Sequence, residues 1–129
     1  KMTLLYHLIE KDLWDTAKAE NKPYYPPAYE QDGFVHLTDK TENLLFVGNH
    51  FYTGVGGDFL VIELDSDRIT DAEVKYELAR PVGDQAPPEE HGAGEVFPHL
   101  YGPVLPAYVT RELAVARGGD GAFVAVEGC

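Results

Sequence analysis

Hydrophobic and polar positions alternate along this chain in two distinct periods, and the change between them marks its elements. Residues 4–9, Leu-Leu-Tyr-His-Leu-Ile, form a continuous apolar run short enough for a buried strand, with His7 in its middle. Residues 11–20 then place Leu13, Trp14, Ala17 and Lys18 at helical spacing, which predicts an amphipathic helix with Trp14 facing the core. Residues 33–38 read as a second strand with Phe34, His36 and Thr38 on one face and Val35 and Leu37 on the other. Asp39 and Glu42 carry the spacing of a capping box and predict a second helix through Leu44, Leu45, Val47, Gly48 and Phe51, with Asn49 and His50 near its end. His50 there is expected to complement the helix dipole.

The later half reads as strands. Residues 58–65 are the clearest, residues 74–78 alternate Val74, Tyr76 and Leu78 against Lys75 and Glu77, and residues 109–116 and 122–126 predict a hairpin across the Gly-Gly-Asp-Gly turn. Two segments carry no period. In residues 21–32, Pro23, Pro26 and Pro27 forbid regular structure, and Tyr24, Tyr25 and Tyr29 must either cover one end of the core or form a lid over a pocket. Residues 83–94 are a proline- and glycine-bearing excursion. Both are expected to be the mobile parts, at least one of them bordering a pocket. The turn at residues 53–57 is glycine-rich but lies between a helix and a strand, the reverse of a phosphate-binding turn. Early helices and late strands predict an α+β domain with two helices on a mixed or mostly antiparallel sheet.

Composition narrows the function classes. A chain of 129 residues, 44% hydrophobic and 12% aromatic, fits one globular domain. The formal charge is −12, and between positions 58 and 95 eleven acids stand against Arg68, Lys75 and Arg80. Such a surface repels polyanions, so a DNA partner is excluded and RNA is disfavoured. No run approaches a membrane span, and the apolar start breaks at His7 and Glu10, too early for a signal peptide. Cys129 is the one cysteine, which leaves no disulfide within the chain and points to a reducing, cytoplasmic setting. The residues leave the oligomeric state open.

Candidate chemistry gathers on histidines. The segment Phe97-Pro98-His99-Leu100-Tyr101-Gly102-Pro103 puts an imidazole and a phenol on backbone stiffened by two prolines, read here as a rigid loop. His7, His36 and His99 with Glu77 and Tyr101 would make an acid/base site, because an imidazole beside a carboxylate moves protons near neutrality. The same groups would also suit a metal held by three histidines and a carboxylate, although no close histidine spacing marks one. Ser66, the only serine, and Cys129 are poorly placed as nucleophiles.

The order of these pieces resembles the domain of unknown function 952 family. The resemblance rests on Leu-Tyr-His-Leu at 5–8 with Trp14, Asp-Gly-Phe-Val-His-Leu-Thr at 32–38, Asn-His-Phe-Tyr at 49–52, Asp-Phe-Leu-Val-Ile at 58–62, Val-Lys-Tyr-Glu at 74–77 and the proline-braced segment, spanning residues 4–115. It implies a fold similar to ADP-ribosyltransferase domains, in the branch containing RNA 2′-phosphotransferases, with histidines on the first and second strands where His7 and His36 stand. It further implies a dinucleotide such as NAD in a cleft between two small sheets. With the residue reading, it makes His36, His99 and Glu77 the catalytic candidates and His7, Thr38, Asn49, Phe97 and Tyr101 the ligand-binding ones. The expected function is a nucleotide- or NAD/ADP-ribose-binding domain, an ADP-ribosyl or phosphoryl transferase if catalytic. The alternatives are a non-catalytic binding module for a small molecule or protein, and a site of His and Glu that binds a metal.

Overall fold

The computed structural model describes residues 2–87 and 94–129. Strand β1 (Leu4–Glu10) pairs antiparallel with β3 (Phe59–Asp65) from Leu4 opposite Asp65 to Glu10 opposite Phe59. Strand β6 (Val109–Arg117) lies on the other side of β3 and pairs in turn with β7 (Phe123–Val126), giving the order β1-β3-β6-β7. Strands β1 and β3 are buried on both faces, which explains why they read as unbroken apolar runs. Leu5, Ile9, Ile62 and Leu64 meet Trp14 of helix α1 (Lys11–Ala19) on one face. Tyr6, Leu8, Val61 and Leu113 meet Leu44 of helix α3 (Asn43–Phe51) and Phe123 on the other.

The second sheet has the order β2-β5-β4, from β2 (Val35–His36), β5 (Val96–Tyr101) and β4 (Glu73–Leu78), again antiparallel. Val35, Leu37 and Leu100 cover the α1 face of the first sheet. The molecule is therefore an α+β fold of two antiparallel sheets with, among the described residues, three α-helices and seven strands.

The proline-braced segment is the largest correction: it is not a loop but the central strand β5. Proline removes a donor and is normally confined to strand edges. Here the carbonyl of Pro98 accepts from Leu37 N–H at 3.1 Å. Its nitrogen therefore faces the same side, where the chain after β2 turns away to bridge Tyr6, so no ladder bond is lost to the next strand. That departure also explains why the expected strand 33–38 shrinks to Val35–His36. Gly33 caps the preceding turn at φ 84°, and Thr38 pairs with Tyr6 of β1 through bonds of 2.8 and 2.9 Å. A one-turn helix α2 (Tyr29–Asp32) forms inside the proline-rich segment, seeded by Tyr29 N–H on the Pro26 carbonyl at 2.9 Å. The capping box at Asp39 is not made. Thr38 Oγ1 instead accepts from Lys40 N–H at 3.2 Å and Asn43 Nδ2 at 3.3 Å, and α3 starts at Asn43.

Of the tyrosines, Tyr24 is 4% exposed in the core, while Tyr25 is 54% exposed. The expectation for residues 83–94 falls partly outside the described residues; Val82 and Gln85 close a small bridge there. At the glycine-rich turn, Arg117 donates to the carbonyls of Tyr52, Val55, Gly57 and Gly121 and lies 4.4 Å from the Phe123 ring centre. The one cation there is thus committed to backbone. No helix of the described residues is long and apolar enough to cross a membrane.

Candidate functional site

Besides their shared core, the two sheets are joined by a backbone bridge from Tyr6 to Thr38, just past the end of β2. In the fork between β1 and β2, His7 Nδ1–H donates to the His36 carbonyl at 2.7 Å. A cleft opens past this bond in two adjoining lobes of about 70 and 140 Å³ that share His7, Leu8, His36, Tyr52 and Val82 as walls. The first lobe adds Phe51, Arg80, Phe97 and His99. The second adds Glu10, Tyr24, Tyr29, Asp32 and Phe59. Each has the apolar, aromatic lining of a small-molecule site.

Two imidazoles in the first lobe are anchored by carboxylates. His36 Nε2–H donates to Asp32 Oδ2 at 2.9 Å, and Asp32, with its side chain 5% exposed, also accepts Gly83 N–H at 3.0 and 3.2 Å. His99 Nδ1–H donates to Glu77 Oε1 at 2.9 Å, and the same oxygen accepts the Tyr101 hydroxyl at 2.5 Å. The rings of His36 and His99 are 5.7 Å apart, and Phe34 stacks on His99 at 4.0 Å and 20°. Because a carboxylate can only accept, these bonds assign the ring protons: His36 keeps Nδ1 and His99 keeps Nε2 as the acceptor side.

Electrostatics hold the three imidazoles neutral at pH 7. Burial pushes His7 down to about 4, only partly offset by its bond to the His36 carbonyl. Burial likewise lowers His36 and His99, while Asp32 and Glu77 pull them back up. The Tyr101 and His99 bonds hold the Glu77 carboxyl below its usual range, and Glu77 in turn raises the Tyr101 hydroxyl. A neutral imidazole with a carboxylate behind it can take a proton from a ligand and keep the resulting cation paired.

The expected site residues separate into three groups. His7, His36, Phe97 and His99 line the cleft. Glu77 and Tyr101 stand behind His99, bonded to it or to each other, and do not belong to the lining; Lys75 Nζ lies 4.9 Å from the Tyr101 ring centre. Thr38 and Asn49 lie outside it: Thr38 Oγ1 starts α3, and Asn49 clamps α3 to β7 by bonds of 3.0 and 2.7 Å with Phe123 backbone. The sequence reading missed Asp32 and Arg80. Asp32 stands four residues before His36, a spacing that would have signalled it had the intervening turn been recognised. Among the described residues no group of three or more His, Cys, Asp or Glu is arranged to hold a metal ion.

The crystal structure of protein CC0527 from Caulobacter crescentus superposes with a TM-score of 0.70 at 26% identity, covering 95% of this chain and 94% of that one; a double-mutant form gives the same figures. The solution structure of CC0527 gives a TM-score of 0.63 at 25% identity, covering 97% and 91%. No curated protein matches the chain. A family model matches residues 8–112, which hold the whole of the second sheet and the cleft lining apart from His7, and the chain belongs to the family described as protein of unknown function (DUF952).

Proposed function

We propose that the cleft between the sheets binds a nucleotide-like small molecule, with His36 and His99 as its proton-transfer groups. The observation that carries this reading is the pair of carboxylate-anchored imidazoles 5.7 Å apart on the wall of an apolar, aromatic cleft. Polar groups that converge in such a pocket are the usual mark of a binding or catalytic site. The sequence resemblance, which implies an ADP-ribosyltransferase-like fold, points to a ligand of the NAD or ADP-ribose class. In that reading His7 and His36, at the fork, hold ribose hydroxyls. An ADP-ribosyl or phosphoryl transfer would draw on His36 and His99 for proton movement, with Glu77 keeping the His99 cation paired.

A second reading, a binding module without chemistry, is favoured by one observation: Glu77 is bonded to His99 and Tyr101 and does not line the cleft. Calorimetry and thermal shift with NAD, ADP-ribose and mononucleotides test the site. A ligand at a hundred times its dissociation constant adds about 2.7 kcal/mol to stability. The His36→Gln and His99→Gln variants are expected to fold with a loss of about 1 to 2 kcal/mol and to bind about tenfold more weakly. If no ligand in the set raises the melting temperature, the site reading is wrong. If ligand binds but NAD is never consumed, the binding module stands.

A further inference from the structure

We infer that the cleft is built for a nucleoside carrying a single phosphate, with the base in the tyrosine-walled lobe and the phosphate at Arg80, rather than for a dinucleotide. This rests on the reading of the cleft as a nucleotide site and puts a mononucleotide in place of the NAD or ADP-ribose class named there.

The charges on the two lobes differ in sign. Arg80 is the one Lys or Arg among the described lining residues, and it belongs to the first lobe. Arg80 is an exposed residue that lines the first lobe with His36 and His99, and its guanidinium lies 5.4 Å from the ring centre of Phe34, a wall of the second lobe. The second lobe carries two carboxylates, Glu10 and Asp32, and no Lys or Arg. A single phosphate at Arg80 is paired. The second phosphate of a dinucleotide would have no cation of its own, and a path toward the second lobe would bring it against Glu10 and Asp32, where low dielectric magnifies the repulsion.

The second lobe instead suits a ring. Tyr24, Tyr29, Tyr52 and Phe59 supply its aromatic walls, and Pro26 and Pro27 stiffen its rim. Such walls take the faces of a heteroaromatic base with little ordering cost. Asp32 is already committed to His36 and Gly83. Glu10, half-buried at the junction of β1 and α1, makes no side-chain cap bond to that helix and lines the lobe as an acceptor. A base with an exocyclic amino group offers the donor that matches it. Between the two ends stand His7 and His36, the walls both lobes share, at the position of a ribose.

Calorimetry on the whole chain with adenosine, AMP, IMP, ADP-ribose and NAD decides the matter. AMP is expected to bind about tenfold more tightly than adenosine, and more tightly than IMP, ADP-ribose or NAD. Arg80→Ala, at an exposed position, should bring AMP to the level of adenosine and leave adenosine unchanged. Glu10→Gln should abolish the difference between AMP and IMP. Tighter binding of ADP-ribose or NAD than of AMP overturns this inference and leaves the broader nucleotide reading standing, as does an Arg80→Ala variant that weakens all five ligands equally. Binding of none of the five overturns both.

Discussion

His7 shows how one side chain can report on folding and on the site at once. It is 5% exposed, and burial holds it neutral with a pKa of about 4, whereas in the unfolded chain it titrates near its ordinary value of 6.5. Below pH 6.5 the unfolded state therefore binds the proton that the folded state refuses, and stability falls as pH drops toward 4. For this residue the full effect is about 3 kcal/mol, and the lowered values of His36 and His99 act in the same direction. His7→Gln keeps a donor for the His36 carbonyl and removes the titration. Urea unfolding at pH 7 and pH 4.5 is expected to show a smaller loss on acidification in the variant than in the parent. An equal loss in both would mean that His7 is solvated when folded. The histidines themselves were legible as chemistry in a chain with so few other candidates. Glu77 and Tyr101 were legible beside them, Glu77 bonded to His99 and Tyr101 to Glu77, whereas Asp32 was not legible because it reaches His36 only after Gly33 turns the chain at φ 84°.

At the scale of elements, the packing of α3 on β7 sets a limit that helix propensity alone would miss. Replacing a mid-helix glycine by alanine normally favours the helix by about 1 kcal/mol. At Gly48 an added Cβ would lie 2.6 Å from Cγ of Phe123 and 2.9 Å from both its Cδ atoms. That ring is held in place by Phe59 at 5.1 Å and by Arg117 at 4.4 Å, so it has no free direction in which to move. Gly48→Ala is expected to lower stability by about 1 to 3 kcal/mol in spite of the propensity gain, as overpacking does. Chemical denaturation against Gly54→Ala, whose Cβ meets nothing within 4 Å, provides the comparison. A stabilised Gly48→Ala would show that β7 does not dock as described. The same scale explains the misread strand β5. Two prolines look like a chain reversal locally, and only the neighbouring strand's departure makes one of them harmless in mid-sheet.

For the molecule as a whole, a formal charge of −12 on 129 residues makes self-repulsion part of its energetics. Among the described residues the ion pairs of Lys and Arg are mostly exposed and contribute little, the buried partner being Glu63, 5% exposed, with Arg111 at 2.7 Å. Screening should therefore relieve more repulsion than it costs in attraction. The melting temperature at pH 7 is expected to rise by a few degrees between 20 and 200 mM salt, over which the Debye length shrinks to below about 10 Å. A fall would mean that the ion pairs dominate.

What the sequence determined by itself is what depends on near neighbours. Strands β1, β3 and β6 and helix α1 follow from local periodicity, because each buries the face that its own spacing presents, and the α+β class follows from their order. Trp14 is in the core as its spacing requires, its indole N–H satisfied by Glu112 at 2.9 Å. The tertiary structure alone decided the site. His7, His36 and His99 come together because β2 pairs with β5 while β1 pairs with β3, and the Tyr6 to Thr38 bridge and the His7 to His36 bond hold the two sheets together at the fork. Pairings between strands so distant along the chain leave no periodic trace in either. The placement of Asp32 and Arg80, and the exclusion of Thr38 and Asn49 from the lining, depend on where that fork opens.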